Sequence, residues 1–145
     1  MRSEWTRSLP SVSPETQRFW DACRERKLLI QQCRDCKKYQ TYYRAFCCHC
    51  WSSALDDVVV SGEGTVWAMT VAYQNKTPGW ADFVPYVLAA VELREGVKLM
   101  TNIINCDPES VRVGTPVKVT FVDATDEVTI PYFEPVQGDT TKIVA

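Results

Sequence analysis

From residue 64 to residue 133 the chain alternates apolar and polar positions with a period of two. The runs "GTVWAMTVAY" (64–73), "PYVLAAVEL" (85–93), "VKLMTNIIN" (97–105), "TPVKVTFVDAT" (115–125) and "VTIPYF" (128–133) are rich in β-branched and aromatic residues. Each is bounded by turn residues, which predicts five strands. "REG" (94–96) reads as a hairpin turn, "CDPESVRVG" (106–114) as a longer crossover and "DATDE" (123–127) as a tight connection. A two-sheet sandwich calls for about seven strands, so five with a long link between the third and fourth predict a small Greek-key barrel of the OB-fold type.

Nearer the amino terminus the period becomes helical. In "SPETQRFWDACRERK" (13–27), Phe19, Trp20 and Cys23 share one face, while Arg18, Glu25 and Arg26 stay solvated. Ser13 is expected as the N-cap, with Pro14 at the first helical position, where its missing N–H costs nothing. So short a helix has little core of its own, and its apolar face docks either on this domain or on a partner. Cys23 reads as a small packed side chain.

Between helix and barrel, residues 28–53 hold five of the seven cysteines and the single histidine. Cys33 and Cys36 form one C-x-x-C pair, Cys47 and Cys50 a second, with ten residues between the pairs. Doubled pairs of this spacing predict a rubredoxin-like zinc ribbon, in which each pair aims two thiolates at one tetrahedral ion. Four thiolates close the coordination sphere, so the metal is expected to staple the fold, not to catalyse. The residue after each pair, usually glycine in such ribbons, is here Lys37 or Trp51, and Cys48 and His49 offer themselves as substitute ligands. A redox role would need a C-x-x-C at a helix start near a βαβ pattern, and the flanking residues show none.

The expected organisation is mainly β: an N-terminal segment and helix (1–27), the zinc ribbon (28–57), the OB-fold barrel (58–136) and a tail (137–145). Nothing resembling a linker intervenes beyond "SSALDD" (52–57), so ribbon and barrel are expected to pack as one unit.

Composition adds mostly exclusions. The 145 residues are 46% hydrophobic and 23% charged, as in an ordinary globular domain. A net charge of −2 and a pI near 5.4 count against a broad nucleic-acid footprint, which needs a basic face. The opening "MRSEWTRSLPSV" has no apolar run for a secretory signal, and no segment approaches the ~20 apolar residues of a membrane span. A soluble, cytoplasmic protein is expected.

Catalytic motifs are missing: there is no G-x-S-x-G, phosphate-binding loop or G-x-G-x-x-G. His49 lies inside the ribbon, and Cys106 at the start of the crossover has no free histidine to act as its base, so a packed strand-end cysteine is the simpler reading. Asp56, Asp57, Asp123, Asp126 and Glu127 read as solvated turns. What remains is binding. The loop "QNKTPGWADFVP" (74–85) joins the first two barrel strands, at the border of the OB-fold ligand face. It carries Lys76 for a phosphate and Trp80 and Phe83 for stacking, with Pro78 and Gly79 to bend it. The alternative is a surface loop with Trp80 tucked back onto the barrel.

The order of parts, a helix with "FW", a ribbon with "CRDC" and "CCHC", then "GEGTVWAMTV", "PYVLAAVEL", "LMTNIINCDPESVRVGTPVKVTF" and "VTIPYFEP", resembles a family of small zinc-ribbon plus OB-fold proteins associated with acyl-CoA metabolism. The likeness spans about residues 13–136. It implies Cys33, Cys36, Cys47 and Cys50 as zinc ligands and acyl-CoA as ligand. It also implies a thiolase-like partner in a hetero-oligomer, including aldolases that shorten steroid side chains held as CoA thioesters. The chain would then be an accessory subunit that is not catalytic by itself. Two departures concern the ribbon tip: the missing glycines, and "KKYQTYYRAF" (37–46) where the family places a proline-containing stretch. Tyr39, Tyr42, Tyr43, Phe46 and Trp51 suit a protein interface, with Arg44 as a charged contact, or else cover the ribbon's own thin core. The rival reading is a single-stranded nucleic-acid binder, which needs cations interleaved with exposed aromatics. Barrel strands two to four offer only Lys98 and Lys118, neither expected beside an aromatic cluster. A stand-alone thioesterase is the third and weakest reading.

Overall fold

The structure, a computed structural model, describes residues 4–136, so the expected tail at 137–145 lies outside the described residues. One helix, α1 (Gln17–Arg24), is followed by eight strands: β1 (Leu28–Cys33), β2 (Tyr39–Gln40), β3 (Leu55–Val60), β4 (Glu63–Ala72), β5 (Tyr86–Leu93), β6 (Lys98–Ile103), β7 (Pro116–Asp123) and β8 (Thr129–Pro135). The last five close into a barrel in the order β4-β5-β6-β8-β7, and β4 pairs with β7 to complete the ring. That is the mainly β fold with a five-stranded OB barrel that the alternating runs predict. A shift in register between Val66 and Ala68 leaves Trp67 as an extra residue, more than half exposed.

β1, β2 and β3 form a separate three-stranded sheet in the order β2-β1-β3. The sheet is welded to the barrel. Leu28 and Ile30 of β1 belong to the same buried cluster as Val66, Val91, Val117 and Phe133 of the barrel, so ribbon and barrel share one core. Polar ties hold the helix to both: Arg26, just after α1, makes a two-pronged ion pair with Asp123 of β7 at 2.7 and 2.8 Å, and Arg18 of α1 reaches Asp57 of β3 at 3.4 Å.

One expectation needs correction. The helix begins at Gln17, not after Ser13. The Ser13 and Thr16 hydroxyls lie 3.1 Å apart and the Thr16 N–H donates to the Ser13 carbonyl at 3.0 Å, closing a turn first, so the cap position falls at Thr16. As expected, Lys98 has no aromatic cluster beside it: its ammonium meets the single Trp67 ring at 4.8 Å while pairing with Glu92 at 3.2 Å. The register slip that turns Trp67 outward creates this contact. No helix among the described residues is long and apolar enough to cross a membrane.

Candidate metal centre and barrel face

Each C-x-x-C pair sits in a tight backbone turn. The Lys37 N–H donates to the Cys33 carbonyl at 3.0 Å, and the Trp51 N–H donates to the Cys47 carbonyl at 2.9 Å. Closing these turns places Lys37 and Trp51 at φ +66 and +65, the left-handed region where glycine is the usual occupant. The departure from the ribbon pattern noted in the sequence is thus absorbed as backbone strain, not as a change of shape.

The turns bring Cys33, Cys36, Cys47 and Cys50 together, all four sulfurs lying within 4.8 Å of one another. The Cys33–Cys50 and Cys36–Cys47 sulfur pairs are each 3.6 Å apart. A tetrahedral zinc with bonds of about 2.3 Å requires sulfurs about 3.8 Å apart, so the set fits that ion. Cys48 and His49 lie outside it: Cys48 is exposed, and the His49 ring meets the Tyr39 carbonyl at 3.3 Å. The Cys36 backbone N–H pulls Cys33 down to about 6, outweighing burial. Cys50 is pushed up to about 12: the Ser52 N–H opposes the shift, but burial and the three neighbouring thiols prevail. Cys36 is raised as well, so two of the four thiols resist losing a proton beside the other two, and a divalent cation removes that repulsion.

The loop that presents Cys47 is held by two glutamines that sequence reading missed. Gln31 and Gln40 are 2% and 3% exposed. Gln40 donates to Gln31 Oε1 at 2.8 Å and to the Phe46 carbonyl at 3.3 Å, and it accepts from the Cys48 N–H at 2.8 Å. Gln31 takes both backbone groups of Arg44, each at 3.1 Å. The same loop bolts onto the barrel, where Thr41 Oγ1 donates to the Lys98 carbonyl at 2.7 Å and the Met100 N–H donates to Tyr42 Oη at 2.8 Å. Tyr43 is buried, Tyr39 half-buried, and Tyr42, Phe46 and Trp51 are exposed.

On the barrel, Trp80 takes the tucked-back position, its ring 5.1 Å from Tyr86. The sequence signal did not extend to its other neighbour. The guanidinium of Arg7 lies 3.8 Å from the Trp5 ring and 3.9 Å from Phe83, with Trp80 and Tyr132 at 5.5 and 5.9 Å. Arg7 also donates to Tyr132 Oη at 3.2 Å, and Thr6 Oγ1 donates to the Gly79 carbonyl at 3.1 Å. Gly79, at φ +86, has no room for a Cβ because the Thr6 carbonyl occupies that space. Beside Arg7 a groove of about 180 Å³ runs past Tyr86, Asn102 and Cys106. Lys76 is exposed on the same loop. Arg44 belongs to the ribbon, and no hydrogen bond, ion pair or ring contact among the described residues joins it to Lys76, Trp80 or Phe83.

The ChsH2 rubredoxin-like zinc ribbon domain matches residues 20–56, and the ChsH2 C-terminal OB-fold domain matches residues 57–122. The chain belongs to the ChsH2 family. A solved chain described as "Ltp2-ChsH2(DUF35) aldolase" superposes with a TM-score of 0.78 at 34% identity, covering 88% of this chain and 98% of that one. A "DUF35 domain-containing scaffold protein" of Methanothermobacter thermautotrophicus is 31% identical over 78% of this chain and 86% of its own length. A "Probable enoyl-CoA hydratase alpha subunit" of Thermomonospora curvata is 34% identical over 89% of this chain, and the chain spans 40% of its length. In this member of the ChsH2 family, Cys33, Cys36, Cys47 and Cys50 would hold zinc. With four thiolates the ion offers no open position, so its contribution is to fix the ribbon.

Proposed function

We propose that the chain is an accessory, acyl-CoA-binding subunit of an enzyme complex whose partner is thiolase-like. An aldolase cleaving steroid or lipid side chains held as CoA thioesters is the complex it fits best. The observation that carries this reading is the likeness to the chain described as Ltp2-ChsH2(DUF35) aldolase over nearly all of that chain's length. The names of the other relatives, a hydratase subunit and a scaffold protein, support the same class of role. So does the chemistry of the described residues. The only histidine is engaged with a ribbon carbonyl, and Cys106, its thiol raised first by burial and then by Asp107, has no base beside it.

In this reading Lys76 and Arg44 meet phosphates, while Trp80 and Phe83 line the path of the pantetheine arm with Arg7 stacked between them. A thioester with a bulky apolar acyl group needs a cationic contact and an apolar wall, and a small domain supplies one side of such a tunnel. The Lys98–Trp67 contact is the one observation favouring single-stranded nucleic acid, but Glu92 already neutralises that lysine. A titration across salt that shows no steep dependence removes this alternative.

The test is a tagged pull-down from the native host's soluble extract, treated with nuclease and read by mass spectrometry. A thiolase-fold protein in near-equal amount is expected. Recovery of the chain alone, or of nucleic-acid machinery only, overturns the proposal.

A further inference from the structure

At the junction of helix, ribbon and barrel lies an apolar cavity of about 150 Å³, open on one side. Its carbon walls come from Phe19 and Trp20 of α1, Leu28, Leu29 and Ile30 of β1, and Leu99 of β6. The remaining lining residues carry hydroxyls, and every one is engaged elsewhere. Thr16 bonds Ser13 at 3.3 Å, Thr41 bonds the Lys98 carbonyl at 2.7 Å, Tyr42 accepts from Met100 at 2.8 Å, and Tyr43 donates to Asp57 at 3.0 Å. The backbone of residues 28–30 is paired with residues 58–60 of β3.

Water entering this space would need two to four polar partners, and the lining offers few: Thr16, Thr41 and Tyr43 have donated their hydroxyl protons, which leaves the Tyr42 O–H and the Trp20 indole N–H. An enclosed apolar cavity of about this volume in another protein takes up benzene or xenon; the space here has the size and apolar lining for such a guest, with one side open for its entry. The walls here are also held apart. Phe19 packs edge-on to Trp20 at 5.0 Å and tilts against Tyr43 at 5.9 Å, while Thr41 and Tyr42 are bolted to the barrel edge. Collapse to fill the space would break those bonds.

We propose that this junction cavity is a binding site for a compact hydrocarbon group, a single ring or branched alkyl, carried by a small molecule. The inference goes beyond the subunit reading. None of Lys76, Trp80, Phe83 or Arg44 lines the cavity.

Benzene is the probe, added to the full zinc-loaded chain and followed by methyl resonances in two-dimensional NMR and by the thermal midpoint. Saturable shifts confined to Leu28, Leu29, Ile30 and Leu99, with a rise in midpoint, are expected. Leu29→Trp fills the space and should weaken benzene binding by about tenfold or more, with a midpoint without benzene no lower than that of the parent. Leu99→Phe is an independent filling variant should the first fail to fold. Absence of saturable shifts up to the solubility of benzene, or unchanged binding in a folded filling variant, overturns the proposal. So does displacement of benzene by a stoichiometric protein partner, which would reassign the cavity to that partner's side chain.

Discussion

Replacing Gln40 tests whether the buried amide pair fixes the metal-bearing loop. Truncation to alanine strands the Cys48 N–H and the Phe46 carbonyl and removes one of two donors from Gln31 Oε1. A buried hydrogen bond contributes about 1 kcal/mol net, and an orphaned buried group costs about 1–3 kcal/mol. Some of the stranded groups will find water, so Gln40→Ala should destabilise by about 3 kcal/mol, a large share of the ~5–15 kcal/mol typical of a small domain. Gln40→Leu separates the causes, since it keeps the volume but none of the bonds; it should still cost about 2 kcal/mol. Urea unfolding in excess zinc reads the stability, and zinc transfer to a coloured chelator reads the site. Release should quicken in both variants because Cys47 sits on the loosened loop. A Gln40→Leu midpoint corresponding to less than about 0.5 kcal/mol, the range of an ordinary surface change, together with unchanged zinc release, would refute the reasoning.

Other outcomes follow from single residues. Trp51→Gly relieves a left-handed strain of about 1–2 kcal/mol against an unfolded-state entropy cost of about 0.5–1 kcal/mol; with Trp51 81% exposed, a small net stabilisation and slower zinc release are expected in the same assays. Cys36→Ser should lose stoichiometric zinc, measured by atomic emission, and destabilise residues 28–53, most of all the loops that carry the cysteines, since zinc supplies on the order of 10 kcal/mol to small modules. Arg7→Ala should raise iodoacetamide labelling of Cys106 several-fold relative to Cys48 in peptide mapping, because Arg7 and Cys106 line the same groove. Burial raises Cys23 from 9.0 to about 12. Between those pH values the unfolded chain releases a proton that the folded chain keeps, so stability falls as pH rises; Cys23→Ala should give a shallower fall in urea midpoint over that range.

The barrel was legible because its information is local. Each of the five runs alternates within itself and ends at its own turn residues, and the strands fall within two residues of the expected bounds at every end. The metal set was legible for the same reason, two short spacings sufficing to define it. The ribbon's sheet was not. "LLIQQC" places two glutamines where alternation should continue, and its burial makes sense only once Gln31 meets Gln40. β3 opens with Leu55, Asp56 and Asp57, which resemble a turn until paired with Cys33, Gln32 and Gln31. The barrel-face contacts depend on still more distant neighbours. Arg7 touches Phe83 and Tyr132, 76 and 125 positions away, and no spacing rule links such residues. The helix start was displaced for a different reason: Ser13 and Thr16 cap each other across a turn, the Ser13 N–H donating to Thr16 Oγ1 at 3.0 Å and the Thr16 N–H to Ser13 Oγ at 3.3 Å, so the regular helix begins only at Gln17.

The missed residues also connect the two halves of the molecule. Metal ligand Cys47 lies on a loop whose backbone is gripped by Gln40 and Gln31, and Thr41 and Tyr42 of that loop complete hydrogen bonds on the outer edge of β6. The exposed rings of Tyr42, Phe46 and Trp51 therefore stand on a tip tied to the barrel through Thr41 and Tyr42 and to β1 and β2 through the two glutamines. A rigid aromatic surface has little conformational freedom left to lose on association, which favours binding without adding contacts. For the proposed partner the ribbon then serves as a preordered docking element, and metal loss should weaken association by disordering that tip even if the barrel remains folded.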